Sequence, residues 1–239
     1  EVFLPETLKK IGRYAFYNCR KLKKIALGGT CMDVGAGAFT GCHQVEEIRI
    51  TVQSDGTSAL REILTELPET IRVDWKKEGL KGVFWFPEFF EEGVENTPAR
   101  ILENHIHGSG LRYRNCFARN SLNIREYDEL FPYAKAWEEE GVVLEMALGR
   151  LLFPVELGEK AEEHYLSHIR EHLVEAARIL TEEKDYRSLG ALLERVKPDR
   201  EALEQLLSMA QEQKDMEAVS LFMDRLHQNT KIKRKVFEL

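Results

Sequence analysis

The sequence predicts an α+β chain in which a short solenoid with a parallel sheet is followed by an all-α, helical-repeat-like domain. Three observations predict it: a repeat with an offset of 23 residues within residues 1–52, an apolar pattern of helical period from Thr97 onward, and a second repeat with an offset of 30 towards the C terminus.

The first repeat is read by laying Ile11 to Leu27, IGRYAFYNCRKLKKIAL, over Val34 to Ile50, VGAGAFTGCHQVEEIRI. Gly12 returns as Gly35, Ala15 as Ala38, Phe16 as Phe39, Cys19 as Cys42, Leu22 as Val45 and Ile25 as Ile48. Leu22, Ile25 and Leu27 have the spacing of a short strand whose alternate side chains face inward. Gly12 and Gly35 are expected to permit a tight bend, and the Ala-Phe pairs to fill the layer beneath. A unit of this length closes no core alone, so neighbouring coils supply the burial.

These positions resemble the BspA-like leucine-rich repeats, with their I-G-x-x-A-F-x-x-C-x-x-L-x-x-I-x-L pattern. The resemblance covers residues 1–52 and departs from the pattern at Val45, where Leu is usual. It implies a leucine-rich-repeat solenoid and a role in binding or adhesion rather than catalysis. Run backwards, the offset aligns Val2 with Ile25 and Leu4 with Leu27, so the chain opens on the last strand of a coil and further coils are expected upstream.

In register, the outward strand positions form two ladders, Glu1-Lys24-Glu47 and Phe3-Ala26-Arg49, which set Lys24 between two carboxylates. Either this is a ligand-facing surface, or it is a solvated face whose alternating charges avoid repulsion. As a binding surface it nominates Lys24, Glu47 and Arg49. Cys19 and Cys42 occupy equivalent inward slots, where packing explains them without oxidation.

Polar turn formers at residues 53–58 end the pattern, and Ser58 is placed to cap a helix over Ala59 to Leu67. Strands are expected from Thr70 to Trp75 and from Gly82 to Phe86, extending or covering the end of the repeat sheet, because an open strand edge invites aggregation. The aromatic run Phe84-Trp85-Phe86-Pro87-Glu88-Phe89-Phe90 reads as a packing joint between two domains, 1–95 and 96–239, or as a partner-binding patch with an acidic rim at Glu91 and Glu92.

Thr97-Pro98 is a helix opening, and helices are expected at Leu111–Ala118, Pro132–Glu140, Val142–Phe153, Glu159–Thr181, Tyr186–Val196, Asp199–Glu212 and Met216–His227. Glu182-Glu183-Lys184-Asp185-Tyr186 returns as Glu212-Gln213-Lys214-Asp215-Met216, the mark of stacked helical hairpins.

Candidate chemistry is sparse. His164, His168 and His172 recur every four residues on one helix, but Tyr165 stands where a zinc protease needs its general-base Glu. Glu103, His105 and His107 precede Ser109, whose surroundings lack a nucleophile elbow. Arg112-Tyr113-Arg114 offers an anion grip or a structural salt bridge, and the basic tail Lys231-Ile232-Lys233-Arg234-Lys235 complements a helix C terminus. There is no phosphate-cradling glycine motif.

The chain has 239 residues, and a formal charge of −7, with +3 over residues 1–52 against −10 over the remainder, speaks against nucleic acid as the partner. Four cysteines without a C-x-x-C pair suit a reduced compartment, and no apolar run is long enough to cross a bilayer. The sequence therefore points to a noncatalytic module that binds a protein or peptide and carries no cofactor, metal or membrane insertion. The alternative is a metal-dependent hydrolase with a site around His105, His107, His164 and His168, and a scaffold that self-assembles is a third class.

Overall fold

A computed structural model describes residues 1–96 and 101–235, with the side chains of 91, 93–106 and 229–235 outside the description. The chain divides into two compact units, Glu1–Ala161 and Glu162–Leu239.

The first unit opens with the solenoid strands β1 (Val2–Phe3), β2 (Lys10–Ile11), β3 (Lys24–Leu27), β4 (Asp33–Val34) and β5 (Glu47–Thr51). A short helix α1 (Leu60–Thr65) and a hairpin of β6 (Ile71–Lys77) and β7 (Leu80–Phe86) come next. They complete a five-stranded sheet of order β1-β3-β5-β6-β7, parallel except for the last pair, while β2 and β4 form a small parallel sheet of their own. The expected offset is the observed register, with Ile25 opposite Ile48 and Lys24 opposite Glu47. One inward row runs Ile25, Ile48, Val73, Phe84, all fully buried, each aliphatic member contributing about 1.5–3 kcal/mol of transfer free energy. The hairpin turns at Glu78 and Gly79, both with positive φ (48° and 86°), the two-residue geometry whose twist suits paired strands.

Three expectations for the repeats are corrected. Neither Gly12 nor Gly35 has a positive φ; at Gly35 a Cβ would lie 2.5 Å from the Arg13 nitrogen, so this glycine serves the close approach of two coils rather than a bend. Cys42 is buried and its thiol donates to the Phe16 carbonyl (3.1 Å), whereas Cys19 is exposed. The equivalence holds in sequence but not in environment, because each coil is covered by its neighbour and, among the described residues, only one side of the first coil has one. Phe16 and Phe39 stack at 5.1 Å, yet only Phe39 is fully buried.

The end of the solenoid is closed by substitution of donors and acceptors. Within the repeats, the Phe16 N–H donates to the Ala38 carbonyl (2.8 Å) of the next coil. One coil on, the Glu66 carboxylate accepts the N–H groups of Gly37 (2.6 Å) and Phe39 (2.7 Å), standing in for the next coil's backbone. Ser58 accepts the Leu60 N–H at 3.4 Å as α1 begins.

Beyond the hairpin come β8 (Phe90–Asn96) and β9 (Ile101–His107), α2 (Gly110–Arg114), the small hairpin β10 (Phe117–Ala118) with β11 (Ser121–Leu122), α3 (Ile124–Glu129), α4 (Phe131–Trp137) and α5 (Glu140–Leu152). The helix opening at Thr97-Pro98 lies outside the described residues, but β9 overturns the all-helical reading of the chain from Thr97 onward: it pairs antiparallel with β8 in full register. The expected helix Leu111–Ala118 likewise stops at Arg114 and turns into β10. Both segments take backbone partners that a local helix signal does not record.

These elements cover the free edge of β7. The Tyr127 hydroxyl on α3 donates to the Trp85 carbonyl (2.7 Å) and accepts the Trp85 N–H (3.0 Å), pairing both backbone groups that the edge would leave open. On α5, Gly149 permits contact: a Cβ there would sit 2.9 Å from the Val83 carbonyl oxygen. Phe84 and Phe86 point into the core against Tyr127 while Trp85 is half-buried, so the aromatic run is internal packing of the first unit.

Two buried arginines tie this cap together. Arg114 donates to the carbonyls of Leu64 (3.0 Å), Leu67 (2.8 Å), Glu69 (2.7 Å), Gly110 (3.2 Å) and Pro87, with its guanidinium over the Phe89 ring. Burial draws its pKa down to about 10, which leaves it charged at neutral pH. Arg112, two residues earlier, is exposed and sits over the Tyr133 ring at 4.8 Å, and among the described residues neither arginine forms the expected salt bridge. Arg150 makes two bonds to Asp128 (2.7 and 2.9 Å) and one to the Val155 carbonyl (2.9 Å).

The second unit takes in most of α6 (Glu159–Glu171), then α7 (Leu173–Glu182), α8 (Tyr186–Val196), α9 (Arg200–Glu212) and α10 (Met216–Lys235). The single helix expected over Glu159–Thr181 is broken at His172 without a Gly or Pro to mark it. The 30-residue repeat is visible in backbone detail: Lys184 (φ 56°) and Lys214 (φ 57°) each turn left-handed before Asp185 and Asp215, whose carboxylates cap the N–H groups of Ser188 and Ala218. The Tyr186 hydroxyl reaches across to Asp215 at 3.0 Å.

The cap generates two stability predictions. Tyr113 is fully buried, and its hydroxyl has no partner among the described residues, so Tyr113→Phe should leave the urea midpoint unchanged or raise it; Tyr127→Phe, which strips both Trp85 groups, should cost about 1–3 kcal/mol. Arg150→Met should cost about 3–5 kcal/mol by removing the guanidinium paired with the buried Asp128 carboxylate, and adding Asp128→Leu should return most of it, measured by the same unfolding curves.

Candidate functional site

The outward face of the five-stranded sheet gathers the residues nominated from the sequence. Because side chains alternate along each strand, the register places Lys24, Glu47 and Arg72 in one column and Ala26, Arg49 and Asp74 in the next. Phe3, beside Ala26, is exposed, and Trp85, beside Arg72, is half-buried. The first ladder forms with a changed partner: Lys24 meets Glu47 at 2.5 Å, but Glu1 lies 3.5 Å from Arg49 instead of bracketing Lys24. Arg49 reaches Glu47 as well, so this carboxylate takes both cations. Arg72 and Asp74, absent from the sequence-based nomination, add a further pair at 3.0 Å. Their signal was in the sequence as the outward positions of the strand begun at Thr70, but only pairing with β5 puts them on this face.

Burial pushes the Glu47 carboxyl up, and hydrogen bonds from Lys24 and Arg49 outweigh it, holding the pKa below the ordinary Glu value. Lys24 is raised, chiefly by its hydrogen bond to Glu47. Both shifts favour the charged forms of Lys24 and Glu47.

At the C-terminal ends of these strands lies a groove of about 480 Å3, with Leu4, Ala26, Arg49, Thr51, Asp74 and Lys76 in its walls. The second unit has a groove of about 520 Å3 along α7 and α9, lined by Arg170, Glu175, Arg178, Gln205, Met209 and Glu212 among others.

Of the histidines of the hydrolase alternative, His105 and His107 belong to the first unit and His164 and His168 to the second. His107 stacks on Phe90 (4.4 Å) and meets Glu92 at 3.1 Å, while the side chains of Glu103 and His105 lie outside the described residues. His164 is exposed and His168 is buried, and the rings of His168 and His172 lie 4.7 Å apart. Ser109 is buried, its N–H given to the Glu138 carboxylate. The side chains of the basic tail lie outside the described residues.

Residues 1–65 match the family model described as BspA type Leucine rich repeat region (6 copies), and residues beyond 65 match no family model. No curated protein and no solved structure gives a significant match to the chain. The matched segment folds as a solenoid of stacked coils and is similar to leucine-rich repeats, and no helix of the described residues is long and apolar enough to cross a membrane.

Glu47 carries a prediction about pH. Its folded pKa is depressed, so the stability it contributes is present above the unfolded value of about 4.3 and is lost as pH falls through the lower folded value. Carbon-detected NMR titration should place the Glu47 midpoint below the unfolded-chain value of about 4.3, and Glu47→Gln should blunt the acid limb of the stability profile. An ordinary midpoint would mean that the ladder is not formed in solution.

Proposed function

We propose that the chain is a noncatalytic interaction module that holds a protein or peptide partner on the outward face of its leucine-rich-repeat sheet, with Lys24, Glu47 and Arg49 at the contact. The observation that carries this reading is the face itself. Its columns present alternating charge flanked by Phe3 and Trp85, above a sheet whose other side is packed solid. Charges at fixed strand spacings select a partner by register, and aromatic groups at the margins supply contact area at low entropic cost. The family match over residues 1–65 supports the binding role. A helical-repeat second unit is compatible with a second protein-binding surface.

Selection of a random peptide display library against the purified chain tests the reading. Enriched peptides should bind the wild-type protein in fluorescence anisotropy and lose about tenfold or more in affinity to the charge-reversed Lys24→Glu/Arg49→Glu variant. A selection that enriches no sequence, or peptides indifferent to the reversal, would overturn it.

A further inference from the structure

The charges on the outward face are not evenly satisfied. Lys24 and Arg49 are drawn to Glu47, Arg49 also to Glu1, and Arg72 to Asp74. The next column, at the C-terminal end of the sheet, runs Thr51, Lys76, Lys81, side by side on β5, β6 and β7, and all three are exposed. Lys76 and Lys81 are directly opposed across the antiparallel pair, a placement that like charges disfavour. Among the described residues no carboxylate pairs with either of them. Lys76 lines the groove of about 480 Å3 together with Arg49 and Thr51. Of the two carboxylates in that lining, Asp74 is engaged by Arg72, and Glu6 is exposed.

We propose that this groove and the Lys76–Lys81 pair beside it form a carboxylate subsite that takes an acidic, extended peptide segment. It rests on the binding face proposed above and names the chemistry of its occupant. One carboxylate settles between the two ammonium groups and relieves their repulsion. Residues two apart in an extended peptide share a side at about 6.6–6.8 Å, which lets a second acidic side chain turn towards the Arg49 guanidinium. A peptide fits better than a compact anion because the groove continues over apolar wall, from Ala26 to Leu4, that a phosphate ion has no means to use. Charge complementarity selects the occupant, and the net +3 over residues 1–52 speeds its encounter.

The probe is fluorescein-labelled hexaglutamate, titrated with the full chain at low salt and followed by anisotropy, with hexaglutamine as its neutral counterpart. Wild-type protein should bind hexaglutamate and ignore hexaglutamine. Lys76→Gln/Lys81→Gln should weaken binding about tenfold or more, while Lys9→Gln/Lys21→Gln, exposed lysines outside this column, should change it less than about twofold. Circular dichroism of both variants should match the wild type, since all four side chains are exposed. Equal losses in the two variants would mean diffuse attraction and would overturn the subsite, as would no binding of hexaglutamate or no preference over hexaglutamine. Displacement by inorganic phosphate as effective, per mole, as by unlabelled hexaglutamate would also overturn it, in favour of a small-anion site. Should display-selected peptides still bind the Lys24 and Arg49 face while hexaglutamate fails, the subsite falls and the binding face stands.

Discussion

A sheet made by stacking coils cannot end abruptly, because its last strand and last loop present N–H and C=O groups prepared for a neighbour. Closing that end governs most of the first unit. Glu66 offers carboxylate oxygens where the next coil would have offered carbonyls, β6 and β7 convert a parallel edge into a hairpin, and Tyr127 takes up both backbone groups of Trp85. Arg114 then gathers carbonyls from the exit of α1, the exit of β7 and its own helix. A guanidinium suits this work because it carries five donors in a fixed fork and keeps its charge when buried.

The same closure shapes the surface proposed for binding. Because the cap gathers on the β7 side, the columns from β1 to β6 remain open, and their side chains stand in a register set by the strands beneath them. A charge on this face is held by its strand neighbours rather than by its own loop. Glu47 shows the result: one carboxylate receives two cations from different positions of the ladder, and its proton affinity falls although burial alone would raise it. Surface ion pairs of this sort contribute little to stability. Their value is in fixing where each charge sits.

Much of this was legible in the sequence. Six matched positions at a constant offset gave the solenoid and its register, because a repeat's partner is another copy of itself and the pairing is implied by the spacing. The later repeat was legible for the same reason, down to the Lys-Asp turn that reverses the chain before α8 and α10. What escaped were choices made by distant groups. Nothing local distinguishes Ile101–His107 as a strand, marks His172 as a helix break, or separates the environment of Cys19 from that of Cys42. The binding nomination was similarly partial: Lys24, Glu47 and Arg49 came from the repeat, but Arg72, Asp74, Lys76 and Lys81 belong to a hairpin outside it.

By itself, then, the amino-acid sequence determined the α+β class, the stacked coils, the spacing of Lys24, Glu47 and Arg49, and the helical hairpins, since each is encoded by periodicity along the chain. Tertiary structure alone decided how the solenoid ends, which arginines lie inside, and that Lys76 and Lys81 extend the charged face. Those outcomes depend on which unsatisfied backbone or charged group lies nearest in space, a quantity that spacing along the chain does not contain.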